Sequence, residues 1–113
     1  MTIAIDFDGT ITYSPKQYPI PGEIRPYAQK VINALIERGH DVILWTCRDH
    51  QELELAKEFL KQNNIKISKF NVQNVQSCSN KIVADIYIDD KSFPQCFNEV
   101  DWKQIGQVFN IFV

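Results

Sequence analysis

Residues 2–7, TIAIDF, are apolar or β-branched at nearly every position, a pattern that a strand with one wet face does not show. A strand of this kind is covered on both faces, and such strands belong to parallel sheets whose crossovers carry helices. The rest of the chain reads the same way. HDVILWT (40–46) is a second buried strand, IKISKFNV (65–72) predicts a short third and ADIYIDD (84–90) a fourth. Between the first two, PGEIRPYAQKVINALIERG (21–39) sets Tyr27, Val31, Ala34 and Leu35 at helical spacing, with Pro26 near the start and Gly39 just past the end. DHQELELAKEFLKQNN (49–64) carries Asp49 as a helix cap with Glu52 at the capping-box spacing, and Leu53, Ala56 and Leu60 as its inward stripe. WKQIGQVFNIFV (102–113) reads as helix passing into strand. Strand alternating with helix predicts one α/β domain over residues 1–113, a Rossmann-like three-layer sandwich with a mostly parallel central sheet.

Composition excludes several classes of function. At 113 residues a single core needs no covalent staple. The apolar fraction of 44% is ordinary, and no apolar run approaches the roughly 20 residues of a membrane span. Residues 1–10 show no basic leader or long apolar stretch, so a cytoplasmic location is expected. Cys47, Cys78 and Cys96 are odd in number and widely spaced, which suits reduced thiols. With a net charge of −2 and no basic block longer than two residues, no general nucleic-acid binding is expected.

In open parallel sheets, ligands bind beyond the carboxyl ends of the strands. The first strand ends in Asp6 and Asp8, the second in Thr46, and the fourth in Asp89 and Asp90, with Lys81 a short way before it. Period-two spacing puts Asp6 and Asp8 on one side as the strand leaves the sheet, able to share a metal ion or a phosphoryl group. Taken alone, an Asp-Gly turn or a helix cap accounts for either acidic pair. Together the four carboxylates carry −4 and Lys81 with Arg48 returns +2, a deficit that a bound Mg2+ would neutralise. Asp6 and Asp89 with a backbone carbonyl form the oxygen donor set that this ion prefers. His40 and His50 are too far apart to compete for zinc.

DFDGT, WTCR, Lys81 and ADIYIDD, in this order and at these strand ends, resemble the four motifs of the haloacid dehalogenase superfamily. The resemblance runs from Thr2 to about Phe93, and PGEIRPYAQKVINALIERGHDVILWTCRD is similar to the corresponding stretch of small bacterial and phage members. It implies that Asp6 is a nucleophile forming an aspartyl-phosphate and that Asp8 is the general acid/base, with its carbonyl on Mg2+. Thr46 and the N–H groups of Cys47 and Arg48 would hold phosphoryl oxygens. Lys81 would offset charge, Asp89 would bind the metal with Asp90 as second or alternative ligand, and Thr10 would steady the loop bearing Asp8. The aspartate at position 8 favours phosphoryl transfer over dehalogenation, and the short segments after DFDGT and before Lys81 imply that no cap domain is present.

The expected activity is therefore a Mg2+-dependent phosphomonoester hydrolase acting on a phosphorylated substrate of unknown identity. The alternatives are a non-catalytic phosphate- or metal-binding protein on this fold and, further off, a receiver-type phospho-acceptor module. A receiver is disfavoured because Thr46 stands where its acceptor aspartate belongs. IDDKS departs from the wider G-D-x-x-x-D pattern, which leaves the choice between Asp89 and Asp90 open. With no lid to exclude water, Tyr13, Lys16 and Tyr18 in the loop YSPKQYPIPGE (13–23) become candidate substrate contacts, and Arg48 a candidate fork to phosphate. The tail VFNIFV is a candidate edge strand for a homo-oligomer.

Overall fold

In the computed structural model, which describes residues 1–70, 83–90 and 100–112, four strands form one sheet. They are β1 (Thr2–Ile5), β2 (Asp41–Leu44), β3 (Lys69–Phe70) and β4 (Ile86–Ile88), in the order β3-β2-β1-β4 with every neighbouring pair parallel. From β1 the chain steps outward through β2 to β3, and β4 lies on the other side of β1. The strand order therefore reverses beside β1, and a crevice is expected at the carboxyl end of that strand.

Register explains where the core sits. Ile3 pairs with Val42 and Ile86, and Ile5 with Leu44 and Ile88, so these six side chains share one face of the sheet. The helices α1 (Ala28–Glu37), α2 (His50–Gln62) and α3 (Trp102–Val108) pack on that face through Val31, Ile32, Leu35, Ala56, Leu60, Trp102 and Ile105. Gln29 and Asn33 of α1 donate to the Asn63 and Asn64 carbonyls beyond α2, and Arg38 donates to the Phe109 and Asn110 carbonyls beyond α3. Helix α1 thus lies between the other two. On the opposite face Ala4 stands between Ile43 and Tyr87 and is fully buried. The third layer expected over that face lies outside the described residues.

The three helices among the described residues end alike. The amides of Gly39 and His40 return to the Ile36 and Leu35 carbonyls, those of Asn64 and Ile65 to Lys61 and Leu60, and those of Asn110 and Ile111 to Gln107 and Gly106. This is the Schellman arrangement, and it needs a left-handed residue one place past the helix. Gly39, Asn64 and Asn110 fill that place at φ 90°, 56° and 59°. A Cβ on Gly39 would meet nothing within 4 Å, so Gly39→Ala isolates the backbone penalty. It is expected to lower stability by about 1 kcal/mol in a urea titration while leaving the site intact.

Several predicted boundaries shift. Helix α1 starts at Ala28, because residues 11–13 and 23–25 spend their backbone groups on each other. Tyr13 N–H donates to the Glu23 carbonyl at 2.8 Å, Arg25 N–H to the Ile11 carbonyl at 2.8 Å, and Thr12 bridges Ile24 antiparallel. Asp49 precedes α2 in extended conformation, but its side chain makes no capping bond. His50 sits at φ 45°, so the chain is not yet helical where a capping box requires it. The C-terminal segment is helix without a following strand among the described residues. Ile111 N–H turns back to the Gly106 carbonyl at 2.7 Å, and the Phe112 ring packs edge-on to Tyr27.

Candidate active site

Strand β1 ends at Ile5, but Asp6 N–H still donates to the Ile88 carbonyl at 3.1 Å, which locks Asp6 beside the end of β4. There the carboxylates of Asp6, Asp89 and Asp90 each offer an oxygen within 4.8 Å of the others. Phe7 N–H donates to Asp6 Oδ1 at 2.8 Å and orients the group. Burial pushes the Asp6 pKa from 3.8 up to about 7 against the lowering effect of the Phe7 N–H bond, and the charges of Asp89, Asp90 and Asp8 add to the rise. Three crowded carboxylate oxygens with no histidine or cysteine among them fit a hard divalent cation such as Mg2+. A cation at that point would offset the burial that raises the Asp6 pKa and relieve the like-charge repulsion that adds to it.

Asp8 takes a different direction. The Thr10, Ile11 and Thr12 amides all point back to the Phe7 carbonyl, so Asp8 lies in a tight turn where strand periodicity no longer applies. Its two oxygens accept a fork from Arg48, Nε to Oδ2 at 2.7 Å and Nη2 to Oδ1 at 2.8 Å. The Asp8 carboxylate is therefore engaged by Arg48, while those of Asp6, Asp89 and Asp90 form the acidic group. The arginine fork, expected on phosphate, is on Asp8. The hydrogen bonds that Arg48 donates to Asp8 hold its pKa above the ordinary value against the opposing effect of desolvation.

The turn is tied down by residues from three other segments of the chain. Asp90 N–H donates to Thr10 Oγ1 at 3.1 Å, and Trp102 Nε1 of α3 donates to the Thr10 carbonyl at 2.8 Å. Arg25 is buried and donates to the Gly9 carbonyl from Nε at 3.1 Å and Nη2 at 2.9 Å, and from Nε to the Thr12 carbonyl at 3.2 Å. Neither Arg25 nor Trp102 stands out in the sequence as part of a site. Arg25 sits in a stretch that reads as helix, and Trp102 is far away along the chain. Gly9 lies at φ 81°, and a Cβ there would stand 2.4 Å from Asp90 Oδ2. Gly9→Ala combines a left-handed backbone penalty with a collision against a carboxylate, so it is expected to lower stability by about 2–5 kcal/mol. The same urea titration should show a clearly larger loss than Gly39→Ala.

Thr46 is buried past the end of β2, and its hydroxyl accepts from Arg48 N–H at 3.2 Å. The Arg48 amide, expected on a phosphoryl oxygen, points to this hydroxyl, and Cys47 is an exposed free thiol. Tyr13 and Lys16 line a cavity of about 510 Å3 together with Ser14, Ile20 and Glu23. Tyr18 stacks instead on Arg48, 4.7 Å from ring centroid to guanidinium carbon. Lys81, Cys78 and Cys96 lie outside the described residues.

A model of the haloacid dehalogenase-like hydrolases matches residues 3–112. The chain belongs to the haloacid dehalogenase-like hydrolase family. Its fold is also similar to the structure of a conserved protein from Bacteroides thetaiotaomicron, at 32% identity and a TM-score of 0.80, over all of this chain and 93% of the other. No curated protein matches it. No helix among the described residues is long and apolar enough to cross a membrane.

Proposed function

We propose that this haloacid dehalogenase-like hydrolase is a Mg2+-dependent phosphomonoesterase working through an aspartyl-phosphate on Asp6. The observation that carries this reading is the meeting of Asp6, Asp89 and Asp90 within 4.8 Å at the strand-order reversal, with Asp8 two residues on from Asp6. Asp6, Asp89 and Asp90 would hold the cation. When bound, it supplies positive charge to the carboxylate cluster and to the phosphoryl oxygens.

The chain's own groups then divide the work. Asp6, oriented by the Phe7 N–H bond, attacks phosphorus and becomes the acyl phosphate. Asp8 hands a proton to the leaving oxygen and later takes one from the water that hydrolyses the intermediate. Thr46, Cys47 and Lys81 are the groups proposed to hold the phosphoryl oxygens, with Lys81 offsetting their charge. A phosphorylated small molecule contacting Tyr13 and Lys16 is the proposed substrate class, because these residues line a cavity in the 13–23 loop, the loop that Arg48 ties to Asp8. The test is hydrolysis of 4-nitrophenyl phosphate with and without Mg2+. Turnover that requires the ion and disappears in Asp6→Asn is the expected result, and turnover retained in Asp6→Asn would overturn the assignment of the nucleophile.

A further inference from the structure

We propose that Arg48 is a positioning residue that fixes the Asp8 carboxylate and the Tyr18–Pro19 loop as one unit, so that the loop beside the cavity and the acid/base group move together. This rests on the phosphatase reading for the role of Asp8. The geometry at Arg48 carries it.

Arg48 is 1% exposed, whereas Asp8 keeps 24% of its side-chain surface in water. A buried guanidinium is tolerated only when its donors are matched. Nε and Nη2 form the fork to Asp8, and Nη1 donates to the Pro19 carbonyl at 2.6 Å and the Glu52 carbonyl at 3.0 Å. Its guanidinium carbon also lies 5.2 Å from the Phe7 ring centroid and 4.7 Å from that of Tyr18. One side chain thus joins three segments: the turn after β1, the 13–23 loop and the first turn of α2. The same loop supplies Tyr13, Ser14 and Lys16 to the cavity wall. Ser14 Oγ approaches Gly9 to within 3.7 Å of where a Cβ would stand, near Asp90. A ligand that shifts this loop therefore acts on Asp8 through Arg48. Only a planar fork serves both partners at once, because a lysine ammonium concentrates its donors at a single point.

The test uses the full chain with 4-nitrophenyl phosphate and Mg2+ as probes, in wild type, Arg48→Lys, Arg48→Met, Tyr18→Ala and Asp6→Asn. Arg48→Lys and Arg48→Met are expected to lower kcat roughly 100-fold, the scale of a misplaced catalytic group, with KM within about two-fold. Amide hydrogen exchange at residues 13–23 should quicken while α1 and α3 keep their wild-type protection. Tyr18→Ala leaves the buried charge paired, and it should lower kcat several-fold at unchanged KM. Wild-type kcat in Arg48→Lys and Tyr18→Ala would overturn the proposal. So would an activity loss accompanied by lost protection throughout α1 and α3, which marks a structural role only. The phosphatase reading fails separately: it falls if wild type and Asp6→Asn are equally inactive, and the role assigned to Arg48 falls with it.

Discussion

Asp6→Asn is expected to remove at least about four orders of magnitude of aryl phosphate hydrolysis, and yet to raise the melting temperature of the metal-free protein at pH 8. The two effects share a cause. The pKa of Asp6 stands at about 7 in the folded chain against 3.8 as the ordinary value, so the folded state binds this proton more tightly than the unfolded state does. The stability that Asp6 contributes is fully present below about pH 4 and is lost as pH rises through 7. Above that, the metal-free fold carries an ionised, desolvated carboxylate among Asp8, Asp89 and Asp90. An amide has no charge to repel, and it can still accept the Phe7 N–H bond. Melting curves from pH 4 to 8 in the presence of a chelator should fall for wild type and stay flatter for the variant. Added Mg2+ should stabilise wild type most at high pH, where the cluster is most negative. Equal pH slopes in the two proteins would show that Asp6 does not titrate in this range.

Asp8→Asn is expected to slow turnover by about 100-fold or more and, unlike Asp6→Asn, to destabilise the fold by about 3 kcal/mol. The difference lies in the partner. Asp6 faces other carboxylates, whereas Asp8 neutralises a guanidinium that is 1% exposed. Removing one member of a buried pair leaves the other charge uncompensated, and the loss is of that size. Adding Arg48→Met should therefore restore part of the stability without restoring turnover, and a double-mutant cycle from urea titrations would measure the coupling. If Asp8→Asn unfolds at the same urea concentration as wild type, the pair contributes nothing to the fold.

Much of the site is legible along the chain because its pieces sit at strand ends. An apolar run that stops at Asp6 and another that stops at Asp89 and Asp90 must bring these carboxylates to one edge once the strands are parallel. Gly39 is legible too, as the left-handed residue past α1. Asp8 is not. Its direction depends on the turn closed by the Phe7 carbonyl, and period-two reasoning fails as soon as the strand ends at Ile5. The helix start at Ala28 is also hidden, because Arg25 is drawn out of the helical pattern by the Gly9 and Thr12 carbonyls. Those acceptors are 16 and 13 residues away in the chain.

Local pattern along the chain is enough to give the alternation of buried strands and amphipathic helices, the parallel sheet, and the strand ends at which the carboxylates stand. These follow from local periodicity and from the rule that a parallel strand must be covered on both faces. Long-range packing set the rest. It turned the Asp8 carboxylate to Arg48 and used Arg25, Thr10 and Trp102 to fasten the turn that carries it. Those choices rest on hydrogen bonds between residues from 13 to 92 positions apart. Bonds over such separations are decided by how the elements pack, and no local pattern records them.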